Sequence, residues 1–213
     1  LAVIVDEWID EALKAVLAAD LDQATDLFRK ASAAYPHSKR ANYRLGRHEL
    51  EVGRTEEGLA RLRRHGMLLD VPRLPRAPVV DGRLDDAAWA TAARADTFYQ
   101  FSHAHSAAIA SELRTELFVG STDEALFIGF RGHDDHPDSI VVTDTENDGA
   151  GLFWEDMIEI FLDTDFDHRG YIHAGINTRG AITDGYLPNG RPRGNVDHLR
   201  VWDGDSDVAT HIG

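Results

Sequence analysis

The sequence predicts a multidomain α + β chain. About four helices fill residues 1–70, an antiparallel β-sandwich fills 77–213, and 71–76 link them. Three observations carry this. The first 66 residues keep a helical period and repeat themselves at an offset of 34. Residues 70–78, DVPRLPRAP, place three prolines in nine positions, which favours an extended connection. Beyond them, short β-prone runs alternate with turn residues.

The helices come first. Leu13, Val16 and Leu17 keep one apolar face, and Leu21, Ala24, Leu27, Phe28 and Ala31 keep another. Pro36 stops the second helix just after Tyr35, because proline has no amide proton and crowds the preceding turn. Gly53 ends the third, where a left-handed capping residue is wanted. At the offset of 34, Asp22 matches Glu56, Gln23 matches Glu57, Ala24 matches Gly58 and Phe28 matches Leu62. This stretch resembles a tetratricopeptide repeat over about residues 5 to 66. Ala24, Phe28, Ala31 and Pro36 stand at its small, aromatic, small and proline positions, and Leu45-Gly46 at the leucine–glycine pair of the next repeat. Gly58 replaces the usual alanine, and His65 a later small residue. The resemblance implies helical hairpins that dock a protein partner. The alternative is that the helices only cap or brace the second domain.

The strands are read from alternation and turns. Residues 115–119 (TELFV) and 126–130 (LFIGF) form a pair around the turn STDEA. Ile158, Ile160 and Leu162 alternate with Glu159, Phe161 and Asp163, so one face of that strand is apolar. Residues 171–177 and 181–187 flank Thr178-Arg179-Gly180, a three-residue link with glycine where positive φ is expected. Residues 198–202 are a further strand candidate. Several short strands with regular turns imply an antiparallel sandwich.

In order along the chain, VVDGRLDDAAW, TELFVGSTDEALFIGFRGHDD, EDMIEIFLDTDFD, YIHAGINTRGAITDG and VWDGDSDVATHIG resemble the successive segments of family 9 carbohydrate-binding modules. The resemblance spans residues 78–213 and implies a jelly-roll-like sandwich. The family's closing strand pair, with its E-…-I-P motif, has no counterpart here. The sandwich is therefore expected to be incomplete at its C-terminus, with the missing strands lying beyond Gly213 or supplied by another chain. The same resemblance implies a periplasmic or secreted protein. No initiator methionine or signal peptide is in view, so the chain reads as a processed or partly observed product.

Sugar recognition needs flat rings to stack on pyranose faces and polar groups for the hydroxyls. The resemblance points to Trp154, Trp202, Glu159 and Arg179, with Asn177 and Tyr186 close by in sequence. Trp89, inside the opening signature, is expected in the core. Asp163, Asp165 and Asp167 alternate oxygen ligands in a way that suits a hard cation, so calcium is the candidate cofactor; the other reading is a solvated turn. The run is not an EF-hand, since His168 and Ala174 stand where glycine and glutamate would be needed. His133 and His136 are weaker zinc candidates in a loop without rigid flanks.

No chemistry-bearing motif for acyl transfer, nucleotide binding or zinc proteolysis is present, so neither catalysis nor a nucleotide is expected. Glu155, Asp156 and Glu159 read as surface acids. A related sandwich branch binds haem through methionine and lysine. Here Lys14, Lys30 and Lys39 all lie in the helical part, so haem is not expected. With no cysteine, disulfides, thiolate metal sites and iron–sulfur clusters are excluded.

The 213 residues carry a net charge of -15, and the acidity is unevenly placed. Residues 1–70 hold 11 basic and 12 acidic side chains, whereas 71–213 hold 11 and 25. Such a surface repels nucleic-acid phosphate, so no nucleic-acid partner is expected. Residues 39–65 are locally basic, eight against four, and could face an acidic partner or only solvent. No apolar run approaches the roughly 20 residues of a membrane span. The expected function is a non-catalytic binding or assembly protein, with a protein on the repeats and a glycan on the sandwich. The alternative is an accessory subunit of a larger, membrane-associated complex without sugar binding.

Overall fold

The computed structural model describes residues 2–98, 113–149, 151–164, 170–188 and 202–213. Among these described residues are four α-helices and two small three-stranded antiparallel sheets. The chain divides into two compact units. The first comprises Leu1–Arg73, Ala92–Gly120 and Phe130–Gly132; the second comprises Leu74–Thr91, Ser121–Gly129 and His133–Gly213. Among the described residues no helix is long and apolar enough to cross a membrane.

In the first unit the helices are α1 (Ala2–Leu17), α2 (Leu21–Ala34), α3 (Lys39–Glu51) and α4 (Thr55–Arg64). Their starts are written in the sequence. The Asp20 carboxylate accepts from the Gln23 amide at 3.1 Å, and the Ser38 hydroxyl oxygen accepts from the Ala41 amide at 3.1 Å; each satisfies an otherwise orphaned first-turn donor. On α4, Glu56 and Glu57 open the helix and Arg61, Arg63 and Arg64 close it, which matches the helix dipole at both ends. Gly53 follows α3 at φ +79°, the left-handed cap that the sequence asks for.

Val5, Ile9, Ala12, Ala15, Ala24, Phe28, Ala31, Ala41 and Leu45 form one buried cluster. The small residues bring α1, α2 and α3 close. The crossing of α3 and α4 is close at its glycines. A Cβ on Gly58 would meet the Gly46 carbonyl oxygen at 2.7 Å and the Leu50 side chain at 2.8 Å. This gives the physical reason for glycine at position 58, where the repeat pattern wants alanine. Several polar groups inside the bundle are paired. Ser32 donates to Asn42 at 2.8 Å, Asn42 donates to the carbonyls of Pro36 and Ser38, and Arg61 clasps Glu49 through two bonds of 2.8 and 3.0 Å.

The strands are β1 (Ala93–Ala95), β2 (Thr115–Ser121), β3 (Leu126–Gly132), β4 (Met157–Leu162), β5 (Tyr171–Asn177) and β6 (Ile182–Leu187). One sheet has the order β1-β2-β3 and the other β4-β5-β6. In the second unit, Trp89 is buried, and its ring lies over Gly129, where a Cβ would meet the indole at 3.2 Å. Trp89 is thus a core residue, as its place in the sequence suggests. Gly180 takes φ +85° in the β5–β6 link, again where the sequence places it. The strand candidate at 198–202 lies outside the described residues except for Trp202.

Candidate binding surface

The β4-β5-β6 sheet positions most of the candidate residues. Its register sets Glu159 opposite Gly175 and Gly175 opposite Thr183; it also sets Ile172 opposite Tyr186 and Ala174 opposite Asp184. Successive side chains alternate between faces. Glu159, Phe161, His173, Asn177 and Thr183 therefore share one face, and Ile158, Ile160, Ile172, Ile176, Ile182, Asp184 and Tyr186 share the other.

Along β5 and β6 the face that carries His173, Asn177 and Thr183 is the better buried one, although Glu159 and Phe161 on β4 are exposed. His173, Asn177 and Thr183 are all buried, whereas Ile158, Ile160, Ile172, Ile176 and Ile182 are only half-buried. Leu152 and Phe153 explain the difference. They belong to a short 3-10 turn, Leu152–Trp154, whose side chains rest on Gly175; a Cβ there would meet Met157 at 2.5 Å, Leu152 at 3.2 Å and Phe153 at 3.3 Å. The missing side chain at position 175 makes room for the turn.

Trp154 ends that turn with 87% of its surface exposed, while Leu152, two residues earlier, is fully buried. The next residue is pinned. The Glu155 carboxylate accepts from the Thr143 hydroxyl and amide, from the Asp144 amide at 2.7 Å, and from Asn177 Nδ2 at 3.0 Å. The Thr143 hydroxyl foremost, with these amides, holds the Glu155 carboxyl down at about 2. Asp156 adds a reciprocal pair with Val141: its carboxylate accepts from the Val141 amide at 2.7 Å, and its own amide donates to the Val141 carbonyl at 3.0 Å. On the other side, the Gly151 amide donates to Asp144 at 2.8 Å. An exposed indole is thus carried on backbone fixed from both directions.

Asn177 is a structural hub. Its amide donates to the Asp144 carbonyl and to Glu155, and its oxygen accepts from the amides of Arg179 and Ala181 at 3.0 and 3.1 Å. Those bonds occupy both ends of the side chain. Arg179 lies exposed in the link beside it. Glu159 pairs with His173 Nε2 at 2.9 Å, and the imidazole stacks on Phe161 with ring centroids 4.2 Å apart. His173 escapes a reading of the sequence alone, because only the β4–β5 register brings it to Glu159.

Tyr186 and Trp202 come together on the opposite face, with ring centroids 6.4 Å apart and planes tilted by 46°. Trp202 is half-buried and packs over Gly204, whose amide donates to Asp184 at 3.0 Å. Burial raises the Asp184 carboxyl above the ordinary aspartate value. The six ligand candidates are therefore not brought to one place. Glu159 and Asn177 face one side of the sheet, and Tyr186 and Trp202 face the other.

Of the cation candidates, Asp163 follows the end of β4 and is half-buried, while Asp165 and Asp167 lie outside the described residues. Among the described residues no three acidic or histidine side chains are grouped as a metal site. His133 and His136 lie in an exposed turn closed by the His136 amide donating to Asp134 at 2.7 Å. No family model, curated protein or solved structure matches the chain.

Proposed function

We propose that this chain is a non-catalytic binding and assembly protein whose ligand contact is centred on Trp154. The observation that carries the reading is an indole 87% exposed on a turn whose neighbours are fixed by hydrogen bonds. A large ring held ready loses little conformational entropy on binding, which is why tryptophan dominates recognition hot spots. In this reading the strand-rich part is a jelly-roll-like glycan module working outside the cytoplasm, as its resemblance to family 9 modules suggests. The four helices are tetratricopeptide-like hairpins that hold a protein partner. Calcium at Asp163, Asp165 and Asp167 belongs to the same reading.

The separation of Glu159 and Asn177 from Tyr186 and Trp202 favours a ring-centred platform over a six-residue clamp. The test is a glycan panel titrated against the parent chain and Trp154→Ala, read by calorimetry. Binding by the parent that weakens about tenfold or more in the variant supports the platform, the magnitude expected for one stacked ring by analogy with stacking on bases. A silent panel, or equal binding by both proteins, overturns it.

The second reading, an accessory subunit without sugar binding, is favoured by the half-buried isoleucine face of β4-β5-β6. Isoleucines that a sheet leaves partly uncovered suit a protein interface. It predicts that Ile160→Glu changes association with a co-purifying partner while leaving every glycan response unchanged.

A further inference from the structure

The acidic chain carries a concentrated island of opposite sign. On the β1-β2-β3 sheet, Arg114, Glu116 and Phe118 alternate along one face, and Arg94 is the register partner of Phe118. Glu116 is buried at 3% exposure, and three guanidiniums converge on it. Arg94 bonds its Oε1, Arg114 reaches the same oxygen at 3.2 Å, and Arg131 lies 3.6 Å from Oε2. Asp96 is a distant second carboxylate, 3.9 Å from Arg94.

Among the described residues three guanidiniums meet two carboxylates, Glu116 and Asp96, which leaves a local excess of one positive charge. Their side chains are 47, 62 and 44% exposed for Arg94, Arg114 and Arg131, so this excess faces solvent. Arg94 and Arg131 are also held in place. The Phe118 ring lies 5.7 Å from the Arg94 guanidinium carbon and 5.9 Å from that of Arg131. Solubility does not call for such a cluster, since a chain of net charge -15 is already well charged.

We propose that Arg94, Arg114 and Arg131 form a binding site for a tetrahedral oxyanion, a sulfate or phosphate group. Glu116 aligns the guanidiniums from beneath, and their outward N–H groups supply the forked donors that such an anion accepts. The site does not depend on the role of Trp154. Its sequence signal is faint, because Arg94 and Arg131 reach Arg114 only through strand pairing.

The test is calorimetric titration of the full chain with inorganic sulfate and, separately, inorganic phosphate, at constant ionic strength set with chloride. Arg114→Gln, Arg131→Gln and Arg114→Lys are compared with Arg83→Gln, an exposed arginine away from the cluster in sequence and strand. A saturable single site for either anion, weakened about fivefold or more by each cluster variant and unchanged by Arg83→Gln, is the expected result. Arg114→Lys should weaken it too, since lysine keeps the charge but loses the fork. Absence of saturable binding for both anions, or equal weakening by Arg83→Gln, overturns the site. Unchanged melting curves for the variants separate loss of binding from loss of fold.

Discussion

The helical bundle and the β4-β5-β6 sheet bury their side chains by opposite rules. In the bundle, the buried cluster is apolar and mostly small around Phe28, and Ser32, Asn42 and Glu49 are bonded inside it. In the sheet, the better buried face mixes polar and glycine positions (His173, Gly175, Asn177 and Thr183) with Ala181 and Leu187, while the isoleucines opposite are half-buried. The bundle is thus held by packing, and the sheet's inner face by specific hydrogen bonds around Asn177 and Glu155. A core of the first kind loses stability when volume is removed; one of the second kind loses it when a bond is left unmade.

The largest expected effect comes from that contrast. Phe28→Ala empties the centre of the bundle and is expected to cost about 3–5 kcal/mol, measured by denaturant melts. Ile160→Ala, on the half-buried sheet face, is expected to cost well under half as much. Comparable losses at the two sites would erase the distinction.

Next come the close contacts and the hub. Gly58→Ala must push aside the Gly46 carbonyl oxygen and is expected to destabilise by about 1–3 kcal/mol, although alanine is the better helix former. A neutral or stabilising outcome would mean that the two helices separate freely. Asn177→Ala removes four hydrogen bonds and is expected to cost a similar amount, about 1–3 kcal/mol, with faster hydrogen exchange at Arg179 and Ala181.

The two regions should also separate by pH. Thr25 donates to the Leu21 carbonyl at 2.7 Å and lies 2.8 Å from His48 Nε2, so Nε2 carries the proton of the neutral ring. Nδ1 is buried with no partner among the described residues, and burial pushes the His48 imidazole below its ordinary value of 6.5. The unfolded chain takes up this proton more readily. The His48 contribution is therefore whole above pH 6.5 and is lost as pH falls below it. His48→Gln should flatten that loss in the bundle. Glu155, lowered from 4.5 to about 2, contributes its stability above pH 4.5 and loses it as pH falls towards 2. Acid should therefore loosen the bundle before the Trp154 turn, an order that residue-resolved hydrogen exchange across pH would reveal.

Much of the architecture is legible in the sequence, for local reasons. The positive φ at Gly53 and Gly180 and the alternation in β4 depend on residues close in the chain. The candidate surface is less legible. Nothing near Ile158, Ile160 and Leu162 reveals that the turn at Leu152 covers the opposite face. The Glu159–His173 pair and the arginine cluster likewise arise only from strand register. Asn177 stands out in the sequence by its place beside the β5–β6 link, but its bonds are internal, and only the folded chain shows them.

The most direct test compares two tryptophans. Trp89 is buried at 8% exposure and Trp154 is 87% exposed, so packing falls to the first and presentation to the second. Denaturant melts of Trp89→Ala and Trp154→Ala beside the parent measure this. The predicted result is a loss of about 3–5 kcal/mol for Trp89→Ala and a change within about 0.5 kcal/mol for Trp154→Ala. Equal losses at the two positions would contradict that division, because Trp154 would then be holding the fold rather than standing ready for a ligand.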